Sequence, residues 1–469
     1  MANTIALKKK QIYAAVAEAA KKAYPEAEIP EFTLEKPKDT SHGDYAVNIA
    51  MLMSRTLHMP PREIAVSIEK NIDKETVGAE KVEIAGPGFI NFYLDKSYLY
   101  NVISEIEKEG DLYGNVDCGK GKSVVVEFVS ANPTGPMHMG NARGGALGDT
   151  LGNVLSRAGW KVTKEFYIND AGAQIDKFGR SLSARYIQLL KGEDAIEFPE
   201  DGYQGDDIRV HAQNYIDKFG DTLLSKSEEE RKEALVSYAL PLNIAALKKT
   251  LAEYGINYDV WFSESSLHND GKVAQTLELL KKSGITYEKE GALWIRSTDF
   301  GAEKDDVLVR ANGIPTYFAA DIAYHRNKLE ERGFDMAINI WGADHHGHIA
   351  RMKGAMEAVG ISGDRLKVLV IQLVRLMRNG EIARMSKRTG KMITLADLIE
   401  EIGVDAARFF FNMRAAGSHM DFDLDLAVSQ SNENPVFYVQ YAHARICSII
   451  RILKESGVSA DTAQNTDLS

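Results

Sequence analysis

Hydrophobic and polar positions change their period several times in the first part of the chain. Residues 7–24, LKKKQIYAAVAEAAKKAY, space apolar side chains at three and four with lysines between, which predicts an amphipathic helix. PKDTSHGDYAVNIAMLMSRTL reads as a turn-rich entry into a second helix. PPREIAVSIEKNI starts a third, with proline at the front where its missing N–H costs nothing. In VEIAGPGFINFYL, Phe89 and Asn91 alternate with Ile90 and Phe92 beyond a Gly-Pro-Gly turn, the pattern of a strand. Residues 1–115 are therefore expected to form a small α+β domain, ending in the glycine-rich stretch GDLYGNVDCGKGKS.

The pattern then shifts to short, nearly continuous apolar runs: Val124 to Val129 first, later KVTKEFYIND, MAINIWGADHH and LKVLVIQLV. Such runs are strands covered on both faces by helices. After the first, ARGGALGDTLGNVLSRAG sets Leu147, Leu151, Val154 and Leu155 at helical spacing. The alternation predicts an α/β fold with a doubly wound parallel, Rossmann-type sheet over 116–375, carrying a charged helical insertion at about 185–290. A junction follows at 376–425, where Asn379-Gly380 signals a two-residue hairpin. ENPVFYVQYAHARICSIIRILKE opens a helical region at 426–469.

Composition narrows the class. A chain of 469 residues exceeds one ordinary domain, and 44% hydrophobic with 26% charged residues is globular usage. The longest apolar runs fall short of bilayer length, and the N-terminus lacks the apolar core of a secretion signal. Cys118 and Cys447, in unrelated contexts, exclude a disulfide framework or a cysteine zinc site and suit a reducing cytoplasm. A net charge of −11 argues against nonspecific nucleic-acid binding but permits a local basic surface.

The candidate chemistry falls at strand ends, where open α/β sheets bind ligands. The first strand leads into SANPTGPMHMGN, where Gly135 and Gly140 permit close backbone approach, the next helix offers free N–H groups to an anion, and His138 adds a donor. A histidine in such a loop is ordinarily structural. RMSKRTGK carries Arg384, Lys387, Arg388 and Lys391 with no acid. The bland reading is a solvated basic loop; the other lays Lys387 against a polyphosphate. Glu127 interrupts an apolar strand and demands a partner, which in the bland reading is an internal arginine. Asp321 follows Tyr317 by four residues, so on a helix the two share a face. In WGADHHGH, Asp344, His345, His346 and His348 suggest a metal, but His345 and His346 cannot both face one site if extended, and no HExxH accompanies them; the wall of a nucleotide or arginine pocket is the better reading. Met51 and Met53 read as core, and SEEERKE as a solvated helix face.

Together, His138-Met139-Gly140-Asn141 and Arg384-Met385-Ser386-Lys387-Arg388 resemble the paired signatures of class I aminoacyl-tRNA synthetases, usually His-Ile-Gly-His and Lys-Met-Ser-Lys-Ser. SANPTGPMHMGNARG, YINDAGAQ, YFAADIAYH, WGADHHGH, MSKRTGKMITLADLIEEIGVDAARFFF and DFDLDLA are similar to the arginyl-tRNA synthetase family in particular, and SHGDYAVNIA with GPGFINFYL resembles its additional N-terminal domain, which contacts the tRNA elbow. The resemblance covers essentially the whole chain. It implies two steps: arginine attacks the α-phosphate of ATP, brought with magnesium, to give arginyl-adenylate and pyrophosphate; the arginyl group then passes to the terminal adenosine of tRNA(Arg). Arginine activation in this family generally requires bound tRNA.

By position, the resemblance makes His138, Asn141 and Lys387 catalytic. It assigns ATP to Pro133, Thr134, Gly135, His138, Gly140, Asn141, Gly342, Asp344, His345, His348, Met385, Ser386 and Lys387. It gives the guanidinium to Tyr317 and Asp321, the amino-acid end of the substrate to Glu127 and Asn132, with Ser130 beside them, and tRNA to Asn91, Arg384 and Arg388. A cytoplasmic monomer without a protein-held metal or membrane attachment is implied. Two features depart from the family. Asn141 replaces the second signature histidine, and an amide donates hydrogen bonds but never carries charge. The family's helical anticodon-binding domain is expected here only as its beginning. The alternatives are a small-substrate nucleotidyltransferase and a non-catalytic tRNA-binding relative. The N-terminal domain and DFDLDLA argue against the first; His138, Lys387 and the Glu127/Asp321 pair argue against the second.

Overall fold

The computed structural model describes residues 4–383 and 393–458. The chain divides into two compact units, one built mainly on residues up to Asp117 and the other on Cys118–Ile452.

The first unit opens with the helix Thr4–Ala23, whose Ile12, Val16, Ala19 and Ala20 are buried. Pro61 stands at the front of the helix Pro61–Glu69. The stretch read as one strand beyond a turn is a hairpin, Ala79–Ala85 with Phe89–Leu94, inside a four-stranded antiparallel sheet. Tyr45–Val47, within the expected helix entry, is another strand of that sheet.

The second unit is organised by a five-stranded parallel sheet in the order Leu366–Ile371, Met336–Gly342, Ser123–Glu127, Lys161–Ile168, Val260–Ser263. The chain starts in the central strand and builds outward first to one side, then to the other. The winding therefore reverses between Ser123–Glu127 and Met336–Gly342, and a crevice opens beyond their carboxyl ends. Val124, Val125 and Val126 are fully buried, as two-sided helix cover requires.

The helical insertion is present, but not as one piece over 185–290. Helices Ala173–Lys191, Asp206–Phe219 and Glu228–Glu253 form it around Phe178, Leu182, Tyr186 and Leu235. The strand Val260–Ser263 then returns to the sheet edge, and a small antiparallel sheet, Thr286–Lys289, Ala292–Ile295 and Asp306–Val309, follows two short helices. With only four residues and no fully buried position, Val260–Ser263 carries too weak a pattern to stand out among helices. Asn379-Gly380 does turn a hairpin, between Val374–Arg378 and Glu381–Ile382, with φ of 50° and 77°. The last helix, Pro435–Glu455, leaves Tyr438, Tyr441, Ile446 and Ile449 exposed. Among the described residues no helix is long and apolar enough to cross a membrane.

Candidate active site

Glu127 ends the central strand, directly at the crevice. Register places Asn339 beside it on one neighbouring strand and Glu165 on the other. Three polar side chains thus line up across a sheet that is otherwise apolar there. Beyond Glu127 the backbone bends sharply: Val129 (φ 69°) and Ser130 (φ 44°) are both left-handed, a conformation that costs about 1–2 kcal/mol per non-glycine residue. The bend lets the Ser130 hydroxyl donate to Glu127 Oε1 at 2.9 Å while accepting the Tyr167 N–H at 3.2 Å.

The opposite wall is the helix Tyr317–Arg326, extended by one wider π-type turn, Asn327–Glu331. Tyr317 and Asp321 share one face of it. With Glu127, Ser130, Gly342, Asp344, His345 and His348 they line a cavity of about 480 Å³. Arginine-site and ATP-site residues of the sequence reading thus come together here. Asp321 is held by two histidines, with His348 Nε2 2.6 Å from Oδ2 and His325 Nδ1 3.2 Å from Oδ1. Burial alone would raise this carboxyl, but the ring N–H groups of His325 and His348 that face it outweigh burial and hold it below its ordinary value.

His348, read as an ATP residue, is 6% exposed, and its two ring nitrogens face Asp321 and Arg351. Its position at the start of the helix His348–Ala358 turns it toward Asp321. Glu127 does form an internal ion pair, but with a lysine. Lys328 Nζ lies 2.6 Å from Glu127 Oε2 and is itself fully buried. Glu165 is balanced by Arg332, so the charges behind the sheet edge are matched.

The signature loop lies at the start of the helix Asn141–Arg157. Its backbone pairs with the segment beyond the second signature: Met139 N–H donates to Ile393 at 3.1 Å, and Leu395 N–H to Met137 at 2.8 Å. The signature loop is thereby tied through backbone to Ile393 and Leu395. His138 is exposed and its Nδ1 accepts the Gly140 N–H at 3.0 Å, which leaves the ring proton of the neutral form on the outward Nε2. Partial burial pushes this imidazole below its ordinary value, so it is neutral at pH 7. Gly140 and Asn141 stand beside it, and Gly135 lies earlier in the same loop.

Pro133 and Thr134, read as ATP residues, are both buried, and the Pro133 carbonyl accepts from Asn243 at 3.1 Å, which ties the loop to the helical insertion. Asn132 is exposed; its amide lies 3.2 Å from that of Asn169, and it is not on the Asp321 cavity. Asn91 is a correction: at 3% exposure it is enclosed between two neighbouring strands of its sheet, not offered to a polyanion. Arg384, Met385, Ser386, Lys387 and Arg388 lie outside the described residues.

A second cavity, about 530 Å³, adjoins the first at Tyr317 and holds Asn169, Gln174, Glu264, His268, Arg310 and Thr316. Burial raises the Glu264 carboxyl to about 7, opposed by a hydrogen bond with Tyr167. Among the described residues no group of three or more His, Cys, Asp or Glu side chains converges as a metal site. His345 lies 3.6 Å from Asp344.

Lys328, His325, Asn339 and Glu264 escaped the sequence reading. Asn339 carried the same signal as Glu127, a polar residue inside an apolar run. His325 and Lys328 follow Asp321 by four and seven residues, one helical face. Glu264 had no such signal.

Two protein-family models match the chain. The model of the class I (R) tRNA synthetase catalytic domain matches residues 102–416, and that of the arginyl-tRNA synthetase N-terminal domain matches residues 10–94. Fold and site thus define a class I aminoacyl-tRNA synthetase. The arginine–tRNA ligase of Ruminiclostridium cellulolyticum is 61% identical over 94% of this chain and 78% of its own length. That of Acetivibrio thermocellus is 58% identical, covering 100% and 84%. In fold, the arginyl-tRNA synthetase of Thermus thermophilus matches 97% of this chain and 84% of its own, at a TM-score of 0.68 and 22% identity. The chain belongs to the arginine–tRNA ligase family.

Proposed function

We propose that this chain joins arginine to tRNA(Arg) in two steps driven by ATP, and that the Asp321 cavity takes the arginine. The carrying observation is the placement of Glu127 and Asp321 on one cavity at the switch point of the sheet. A guanidinium suits planar carboxylates that it grips with parallel hydrogen bonds. Asp321 and Tyr317 take that end, and Glu127 takes the amino-acid end. An apolar competitor would desolvate these carboxylates without offering them the guanidinium's charge and hydrogen bonds, which discriminates against it.

In the first step a carboxylate oxygen of arginine bonds to the α-phosphorus of ATP, supplied as its magnesium complex, and pyrophosphate leaves. His138 Nε2–H and the adjoining helix start donate to the phosphates; Lys387 receives the departing pyrophosphate. In the second step a hydroxyl of the terminal adenosine attacks the arginyl carbonyl and AMP leaves. Arg384 and Arg388 contact the tRNA. The chain works as a cytoplasmic monomer, with its first domain on the tRNA elbow and the region from 426 belonging to the anticodon-binding part.

Arginine-dependent exchange of labelled pyrophosphate into ATP tests the reading. Exchange that needs both arginine and tRNA(Arg) is the expected result. Exchange supported by another amino acid, or tRNA binding without any exchange, would replace it with one of the alternatives.

A further inference from the structure

Behind the cavity wall Glu127 and Asp321 are joined by an unbroken buried chain. Lys328 Nζ donates to Glu127 Oε2 at 2.6 Å and to Asn339 Oδ1 at 3.3 Å. Asn339 Nδ2 lies 2.7 Å from His325 Nε2. His325 Nδ1 lies 2.8 Å from the Asp321 carbonyl and 3.2 Å from its carboxylate. Lys328 and His325 are 0% exposed and Asn339 1%, so water offers these groups no alternative partner.

Donor–acceptor rules then fix the protons. An ammonium group only donates, so Lys328 holds the oxygen of the Asn339 amide and turns its NH₂ toward His325. That NH₂ also only donates, so His325 Nε2 must accept and the ring proton sits on Nδ1, facing Asp321. The second histidine follows the same logic with a different partner. Arg351 Nε donates to His348 Nδ1 at 2.6 Å, and Arg351 is anchored on Asp306 at 2.7 Å. A guanidinium cannot accept, so the His348 proton sits on Nε2, again facing Asp321 at 2.6 Å.

We propose that Lys328 with Asn339, and Arg351, are positioning residues for arginine recognition: each bars a second proton from one histidine, so Asp321 is gripped by two neutral imidazoles and keeps its whole charge for the guanidinium. This rests on the reading of the cavity as the arginine pocket. An imidazolium on either side would occupy the same carboxylate with a charge of the same sign as the substrate's. The arrangement also links the two ends of the pocket, because one lysine orients Glu127 and, through Asn339, His325.

The ring-nitrogen ¹⁵N spectrum of histidine-labelled full chain reads the claim directly, with signals assigned by their loss in His325→Gln and His348→Gln. At neutral pH the expected pattern is one proton on each ring, on Nδ1 of His325 and Nε2 of His348. An imidazolium at either position, or the reverse tautomer, overturns the proposal. Asn339→Asp replaces the donor facing His325 by an acceptor of the same shape. Its His325 signal should become that of an imidazolium, and arginine affinity in calorimetric titration should fall about tenfold or more while ATP affinity holds. An imidazolium at His325 with unchanged arginine affinity would also overturn it. Should Asn339→Asp not fold, Arg351→Met makes the same test through His348. A wild-type protein that shows the expected tautomers but binds no arginine would instead sink the reading of the pocket itself.

Discussion

Glu264 and His138 are each shifted by burial, one up and one down the pH scale but both toward the neutral form, and with different consequences. Burial lifts the Glu264 carboxyl to about 7, so between its ordinary value and 7 the folded protein holds a proton that the unfolded chain releases. Stability from this group is therefore full at low pH and is lost as pH rises through 7. Glu264→Gln should stabilise the protein at pH 8 by roughly 1–3 kcal/mol and leave pH 5 almost unchanged. Urea unfolding at both pH values measures this; an equal effect at the two would mean that shape, not charge, is responsible. His138 is pushed below its ordinary value and stays neutral above pH 7, with Nε2–H as its only donor. His138→Ala should lower the arginine-dependent exchange rate about 10²–10³-fold without altering arginine affinity, the scale of one lost donor to developing charge. A comparable loss of arginine affinity would move His138 out of the phosphate role. At this scale the sequence was legible where a polar residue broke an apolar run or repeated along one helical face. Glu127, Tyr317 and Asp321 announced themselves that way and share one cavity. Asn91 misled, because alternation along a strand marks faces but not whether a face is covered. Pro133 and Thr134 show a similar limit, since a loop can bury its middle and offer only its tip.

Among elements, the helix Asn141–Arg157 shows why spacing alone was incomplete. Its leucines occur at helical intervals, yet the positions it buries are Ala142, Gly144, Gly145, Ala146, Gly148 and Gly152, with Arg143 and Asp149, while Val154 is 58% exposed. The small residues bring the helix axis close to the sheet, and with it the loop that carries His138. A Cβ at Gly148 would come within 2.2 Å of the Phe128 ring, which is fully buried and 4.6 Å from the Tyr258 ring, centroid to centroid. At Gly152 its one tight contact would be with the Lys164 chain, whose Cε lies at 2.9 Å. Gly148→Ala should therefore destabilise by roughly 3 kcal/mol and, by displacing Phe128 beside the left-handed Val129–Ser130 bend, weaken arginine binding. Gly152→Ala should fall within about 1 kcal/mol of wild type, helped by alanine's helix propensity. Thermal melts and arginine titration of the two variants make the comparison; equal destabilisation would mean that helix–sheet closeness at Phe128 is not what Gly148 provides. The strands Tyr45–Val47 and Val260–Ser263 were overlooked for a related reason: they are three and four residues long, and their strand character comes from neighbours in the sheet rather than from their own pattern.

Across the whole chain, each compact unit carries its own core. The cluster containing Ile12, Val16, Val47, Ile64, Ile90 and Phe92 draws every buried member from residues 12–94, inside the stretch that matches the N-terminal domain model. The side chains proposed for arginine, and the buried chain that links them, belong entirely to Cys118–Ile452. A domain with a closed core of its own can fold independently of its neighbour. Residues 1–117 expressed alone should therefore unfold in one cooperative transition, followed by circular dichroism. A chain lacking them should bind free arginine with unchanged affinity while its affinity for tRNA(Arg) falls. The two titrations separate recognition of the amino acid from recognition of the nucleic acid. If arginine affinity fell together with tRNA affinity, the first unit would have to act on the pocket, and the assignment of arginine recognition to the second unit alone would be wrong. If neither changed, the first unit would have no part in holding tRNA, and its family likeness would describe a shape without the contact.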